Sequence, residues 1–204
     1  MTIRLHKGDL PDATPRGDAL AIDTETMGLQ PQRDRLCVVQ LSWGDGTADI
    51  VQIAPGQRAA PNLARLLGER SVTKLFHFGR FDIAAMAYAF GVYAAPVYCT
   101  KIASKLARTY TDRHGLKDLV RELLGVDLSK QQQSSDWGAP LLTEAQLAYA
   151  ASDVLHLHAL REKLDIMLTR EDRFDVAKAC FEFLPARARL DLMGWPENDI
   201  FSHM

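Results

Sequence analysis

The chain predicts an α/β fold, a mixed sheet with helices on its faces, and three observations carry that expectation. Three apolar runs, Ala19–Ile22, Arg35–Trp43 and Ala48–Ile53, follow one another with only turns between them. From Pro61 the apolar spacing becomes helical, with Leu63, Leu66 and Leu67 on one stripe and Gly68 near the stop. Short apolar runs at Lys74–Phe78 and Val97–Cys99 then alternate with helical stretches. Three strands in series followed by alternating strands and helices is the order of a sheet that begins antiparallel and is then covered by helices.

In chain order, Thr2–Leu5 is a short strand broken by Gly8-Asp9-Leu10-Pro11. The second strand, residues 19–26, ends in carboxylates, and Met27-Gly28-Leu29-Gln30-Pro31 turns the chain so that Leu29 falls beside them. The third strand spans Arg35–Trp43, and Gly44-Asp45-Gly46 is a hairpin signal leading to the fourth at Ala48–Ile53. Lys74–Phe78 delivers Arg80-Phe81-Asp82 to the start of a helix running through Ile83–Phe90 and stopped by Gly91. Lys101–Arg108 and Leu116–Leu124 read as amphipathic helices, and Gly125 ends the second. Residues 130–138 are polar and aperiodic, hence a loop. Thr143 with Gln146 has the spacing of a capping box and opens a long helix through Tyr149 and Asp153 toward Leu168. A last helix begins at Phe174 and gives way to irregular chain carrying Trp195, Ile200 and Phe201, which is too apolar to hang in water.

With 204 residues, 47% of them hydrophobic, the chain buries one substantial core, so residues 1–204 are expected to form a single domain. Residues 174–204 are its packing or oligomerisation tail. A net charge of -2 does not describe a broad basic sleeve for long nucleic acid, so any polyanion handled here is short or held locally. Cys37, Cys99 and Cys180 are far apart in apolar surroundings and read as buried reduced thiols. The N-terminal residues lack the apolar core of a signal peptide and no stretch reaches about 18 apolar residues, so the expected location is cytoplasmic, with no membrane partner.

The chemistry-bearing stretch is Ala19-Leu20-Ala21-Ile22-Asp23-Thr24-Glu25-Thr26. Strand side chains alternate, so Asp23 and Glu25 share a face. Two neighbouring carboxylates repel unless a proton or a cation lies between them, and oxygen donors suit Mg²⁺ or Mn²⁺. Asp82 at a helix start either compensates the helix dipole or adds a ligand. Tyr149 and Asp153, four residues apart, share a helical face flanked by Ala150, Ala151 and Ser152, small enough for close approach to another backbone.

Taken jointly, Asp23-x-Glu25, His77-Phe78-Gly79-Arg80-Phe81-Asp82 and Tyr149-x-x-x-Asp153 resemble the three motifs of the DEDD exonucleases on a ribonuclease H-like fold. Position 148 is Ala where the sister branch carries histidine, so the tyrosine-containing branch is favoured. The resemblance covers about residues 19–165 at the level of ribonuclease D, including Asp136-Trp137. It extends over essentially the whole chain to the nanoRNase C proteins through the 99–106, 108–117 and 129–137 stretches and the apolar tail. One departure is Phe78, where many superfamily members carry Asn.

The resemblance implies a 3′–5′ exoribonuclease that hydrolyses very short RNA, chiefly dinucleotides including pGpG, to nucleoside monophosphates with two divalent cations, Mg²⁺ or Mn²⁺. It implies that Asp23 bridges the ions, Glu25 and Asp153 complete the site of the attacking water, Asp82 holds the second ion, and Tyr149 aims the nucleophile. It also implies a homo-oligomer, an octamer. A ribonuclease D-like trimmer of longer RNA, or an exonuclease that also accepts DNA, is the alternative. Leu29 is either a wedge between the last two bases or a turn leucine covering the core. Lys101, Arg108, Arg113, His114 and Gln133 are candidates for gripping a 5′-phosphate, the other reading of the 101–117 region being a solvated basic helix face. Thr26, at the end of the first motif, and His77, which opens the second, complete the substrate-contact candidates, the structural reading of His77 being the favoured one.

Overall fold

The computed structural model describes residues 2–129, 131–132 and 134–203. Six strands form one sheet: β1 (Thr2–Lys7), β2 (Ala19–Thr26), β3 (Leu36–Ser42), β4 (Thr47–Gln52), β5 (Thr73–Phe76) and β6 (Val97–Cys99), in the order β1-β4-β3-β2-β5-β6. The meander β2-β3-β4 is antiparallel as the two turns require, while β1 pairs with β4, β5 with β2 and β6 with β5 in parallel. The expected mixed sheet is therefore present. β2 and β3 lie in its middle, and every β3 residue is buried, which is why Leu36-Cys37-Val38-Val39 reads as continuous apolar sequence.

The helices are α1 (Pro61–Gly68), α2 (Gly79–Phe90), α3 (Thr100–Ala107), α4 (Leu116–Leu119), α5 (Glu144–Leu155), α6 (Leu157–Arg170) and α7 (Phe174–Leu192). Gly91 ends α2 in the left-handed conformation at φ 74°, and Thr143 with Gln146 closes a full capping box at the start of α5. Two helices depart from expectation. The continuous helix expected from Thr143 to Leu168 is interrupted at His156, with φ -102° and ψ -6°, and continues as α6; His158 then bonds the Ala19 carbonyl at 3.2 Å. The helix expected over 116–124 begins as α but closes as a π-helical turn, Val120–Leu124, before Gly125.

The helical part of the tail packs on the chain's own body. α7 lies along α2 and β6; Phe181 packs on Tyr98 with centroids 4.5 Å apart, and Arg80 grips both oxygens of Asp191 through Nε and Nη2 at 2.6 and 2.8 Å. Beyond it, Met193, Ile200 and Phe201 stay exposed. Cys37 and Cys99 are buried free thiols and Cys180 is a partly exposed one. Among the described residues no helix is long and apolar enough to cross a membrane.

Candidate active site

β2 carries the first two acids to the carboxyl end of the central strand, where a register irregularity between Glu25 and Thr26 loosens its pairing with β3. α5 brings the third. Ala150 and Ala151 are fully buried and allow close approach of this helix to the sheet, and Asp153 meets the face of β2 that bears Asp23 and Glu25. Asp23, Glu25 and Asp153 each offer an oxygen, and these oxygens lie within 4.8 Å of one another.

Asp82 approaches from the first turn of α2 and is buried. Thr24, on the opposite side of β2 from its acidic neighbours, donates its hydroxyl to Asp82 Oδ1 at 2.6 Å. Asp82 is thus anchored beside the three-acid group rather than within it, close enough to be the strongest charge acting on Asp23.

The electrostatics follow from burial and crowding. Desolvation, then Asp82, Asp153 and Glu25, hold the Asp23 carboxyl well above the usual carboxylate range. Desolvation and the charges of Asp153 and Asp82 push Glu25 up to about 9. Burial pushes Asp82 and Asp153 up to about 7. Tyr149 is driven above its ordinary value by desolvation and by Asp153, Glu25 and Asp23, so its phenol stays protonated. None of the ion pairs among the described residues involves these four acids. Converging oxygen donors with no protein counter-charge fit hard divalent cations.

Three residues that hold this site were not among the site candidates read from sequence. Gln40 faces Asp23 across the β2–β3 ladder, is fully buried, and donates from Nε2 to Asp23 Oδ2 at 3.2 Å, while its Oε1 has no partner. A glutamine in the middle of a buried apolar strand was the available signal. Trp137 is buried with its ring 6.0 Å from that of Tyr149, which fixes the tyrosine from behind. Thr24 holds Asp82 as described. Detecting the last two needed contacts between segments 12 and 58 residues apart.

The substrate-contact candidates separate. Leu29 is 84% exposed in the turn after β2, so it covers no core. Thr26 is at the end of β2, where its hydroxyl bonds the Gly28 carbonyl and shapes that turn. His77 bonds Thr100 Oγ1 at 2.9 Å and burial lowers its pKa to about 3, so it is neutral and structural in this arrangement. Lys101 lies over the ring of Phe78, and His114 is bonded through Nδ1 to Ser104 at 2.8 Å. Arg113 is exposed and gives its carbonyl to Arg108. Gln133 lies outside the described residues.

Arg108 departs from the expectation of a phosphate grip. Its side chain is fully buried, its donors reach Ser104, the Arg113 carbonyl, Tyr110 and Glu122, and it ties the 108–122 segment together. Arg108→Ala is therefore expected to destabilise the protein by about 2–4 kcal/mol in denaturant unfolding, because it empties a fully buried side-chain site and removes the donor to buried Ser104 and the tie to Glu122. A role in phosphate binding alone would instead leave stability unchanged and raise KM.

A family model described as 3′–5′ exonuclease matches residues 9–169. Brucella melitensis NrnC, solved with bound Mg²⁺, is 62% identical with a TM-score of 0.97, covering 100% of both chains. The chain belongs to the 3′–5′ exonuclease family, in its nanoRNase C (NrnC) group. Membership brings the ribonuclease H-like fold and the catalytic class of a 3′–5′ exoribonuclease. The same Brucella protein has been solved bound to pGG, at 63% identity and TM-score 0.97 over 100% of both chains. Ribonuclease D of Gluconacetobacter diazotrophicus is 38% identical over 156 residues, 76% of this chain and 39% of that one. The chain thus spans about two-fifths of the length of such ribonuclease D relatives.

Proposed function

We propose that this exonuclease hydrolyses very short RNA from the 3′ end, chiefly dinucleotides including pGpG, to nucleoside monophosphates, with two divalent cations, Mg²⁺ or Mn²⁺. Asp23, Glu25 and Asp153 would hold them, with Asp82 contributing from beside the group. When bound, such cations offset the charge of the scissile phosphate and acidify the attacking water. The single observation that carries the reading is the convergence of three desolvated carboxylates, with Asp82 at their side, without a protein counter-charge.

The chain's own groups then have distinct tasks. Tyr149 keeps its proton on Oη and orients the incoming water by a hydrogen bond, while Trp137 limits where the phenol can go. Gln40 keeps one Asp23 oxygen in place, and Thr24 does the same for Asp82. Leu29, free of core contacts, is placed to wedge between the terminal bases, an apolar contact that does not depend on base identity. Lys101, Arg113 and His114 supply donors for a 5′-phosphate. Short substrates are supported by the net charge of -2, and by the whole-length likeness to a protein solved with bound pGG.

The test is a side-by-side rate profile on RNA of about two to twenty nucleotides with a free or blocked 3′ hydroxyl. The expected result is a kcat/KM highest for dinucleotides and lost with the 3′ block. Equal rates per end on the longest RNA would instead favour a ribonuclease D-like trimmer, the reading supported by 38% identity to ribonuclease D; turnover of matched deoxy-oligonucleotides would extend the substrate to DNA. Exposed Ile200 and Phe201 support a homo-oligomer, proposed to be an octamer, which light scattering tests directly.

A further inference from the structure

Phe78 has a backbone that its side chain does not favour. It sits in the left-handed region at φ 67° and ψ 40°, immediately before α2, where a bulky L residue is strained and glycine would be free. Burial does not compensate for that strain, since Phe78 is 47% exposed. It makes no side-chain hydrogen bond to cap the helix it precedes. A strained residue with an exposed aromatic ring marks a position where the side chain acts outside the core.

Its location says on what. β5 runs parallel to β2 with Leu75 opposite Ala21 and ends at Phe76, so Phe78 leaves the sheet at the same end to which β2 carries Asp23 and Glu25 and beyond which Leu29 follows. Asp82 follows one helical turn later. Lys101, in the first turn of α3, places Nζ 4.4 Å from the centroid of the ring, covering one side with positive charge.

We propose that Phe78 is a nucleobase-stacking platform at the active-site edge, with Lys101 backing the ring and offering its charge to the adjoining backbone phosphate. The ligand is one base of a bound short oligonucleotide, and Phe78 with Leu29 forms a pair of apolar surfaces matched to a substrate that has two bases. Aromatic stacking accepts every base, so the platform selects for the presence of a base and not for its identity. The inference rests on the reading of this site as an exonuclease cleft.

Steady-state kinetics of wild type, Phe78→Trp, Phe78→Leu and Phe78→Gly on a dinucleotide, and on the same dinucleotide made abasic at its 5′ position, test it. In wild type and Phe78→Trp the base-bearing substrate should be strongly preferred. In Phe78→Gly that preference should fall roughly ten-fold, mainly through KM, with Phe78→Leu between. The melting temperature of Phe78→Gly should be unchanged or raised, because glycine relieves the strained backbone. An unchanged preference in Phe78→Gly overturns the platform while leaving the exonuclease reading intact. A lowered melting temperature with unchanged KM assigns Phe78 to packing and overturns it as well. If wild type cleaves neither substrate, the exonuclease reading fails and the platform with it.

Discussion

Asp23→Asn is expected to lower kcat by about 10³-fold or more while leaving the fold intact and raising the melting temperature of the metal-free protein. The two effects have one cause. Asp23 is desolvated and lies within reach of Asp82, Asp153 and Glu25, so its charge is unfavourable in the empty protein and is needed only when a cation is present. The amide has the same shape, and its oxygen can still accept from Gln40 Nε2, so no buried donor is orphaned. A loss of about 10³-fold corresponds to about 4 kcal/mol of barrier. Kinetics in saturating Mg²⁺ or Mn²⁺ and thermal unfolding in chelator check the pair. Unchanged turnover would place the chemistry elsewhere, and a lowered melting temperature would mean that the crowded acids stabilise the fold.

The second expected result is a stability that depends on pH in opposite senses with and without divalent cation. Glu25 at about 9, and Asp82 and Asp153 at about 7, all titrate above the ordinary range of unfolded carboxylates, 3.8 for aspartate and 4.5 for glutamate. Between those limits the folded chain binds more protons than the unfolded one, so stability falls as pH rises from about 4 toward 9. His77 works from the other side. Its folded value is near 3 against 6.5, so the unfolded chain takes up a proton that the folded chain refuses, and stability is lost as pH falls below 6.5. The acids outnumber the one histidine, so metal-free protein should lose stability steadily from about pH 5 to 9, with His77 only lessening the slope below 6.5. Mg²⁺ replaces the protons the acids otherwise need, so its stabilisation should grow with pH and its binding should release protons. At a concentration of about 100 times Kd the gain is about 2.7 kcal/mol, or about 5–10 °C in melting temperature. Scans in chelator and in Mg²⁺ from pH 5 to 9 measure both limbs.

Much of the site was legible because its signals are local. The period of two puts Asp23 and Glu25 on one face without knowledge of the fold, and the spacing of four does the same for Tyr149 and Asp153 on α5. The turns at residues 27–31 and 44–46 give the antiparallel meander. What sequence did not show depends on distant partners. Arg108 looks like a surface base among Lys101, Lys105 and Arg113, and only tertiary packing shows that its donors are used by Ser104, the Arg113 carbonyl and Glu122. Gln40 looks like an ordinary strand residue until the hairpin register places it against Asp23. The break at His156 has no glycine or proline to announce it. It separates α5, which serves the site, from α6, where His158 takes hold of the Ala19 carbonyl.

The central claim, that distant acids converge to hold divalent cations, is tested most directly by anomalous scattering from a crystal of the wild-type protein soaked in Mn²⁺. The account expects cation peaks among the carboxylates of Asp23, Glu25 and Asp153, with Asp82 at their side, and their loss in Asp23→Asn. Saturating Mn²⁺ that leaves this cluster empty, or peaks only at other surface acids, would contradict it.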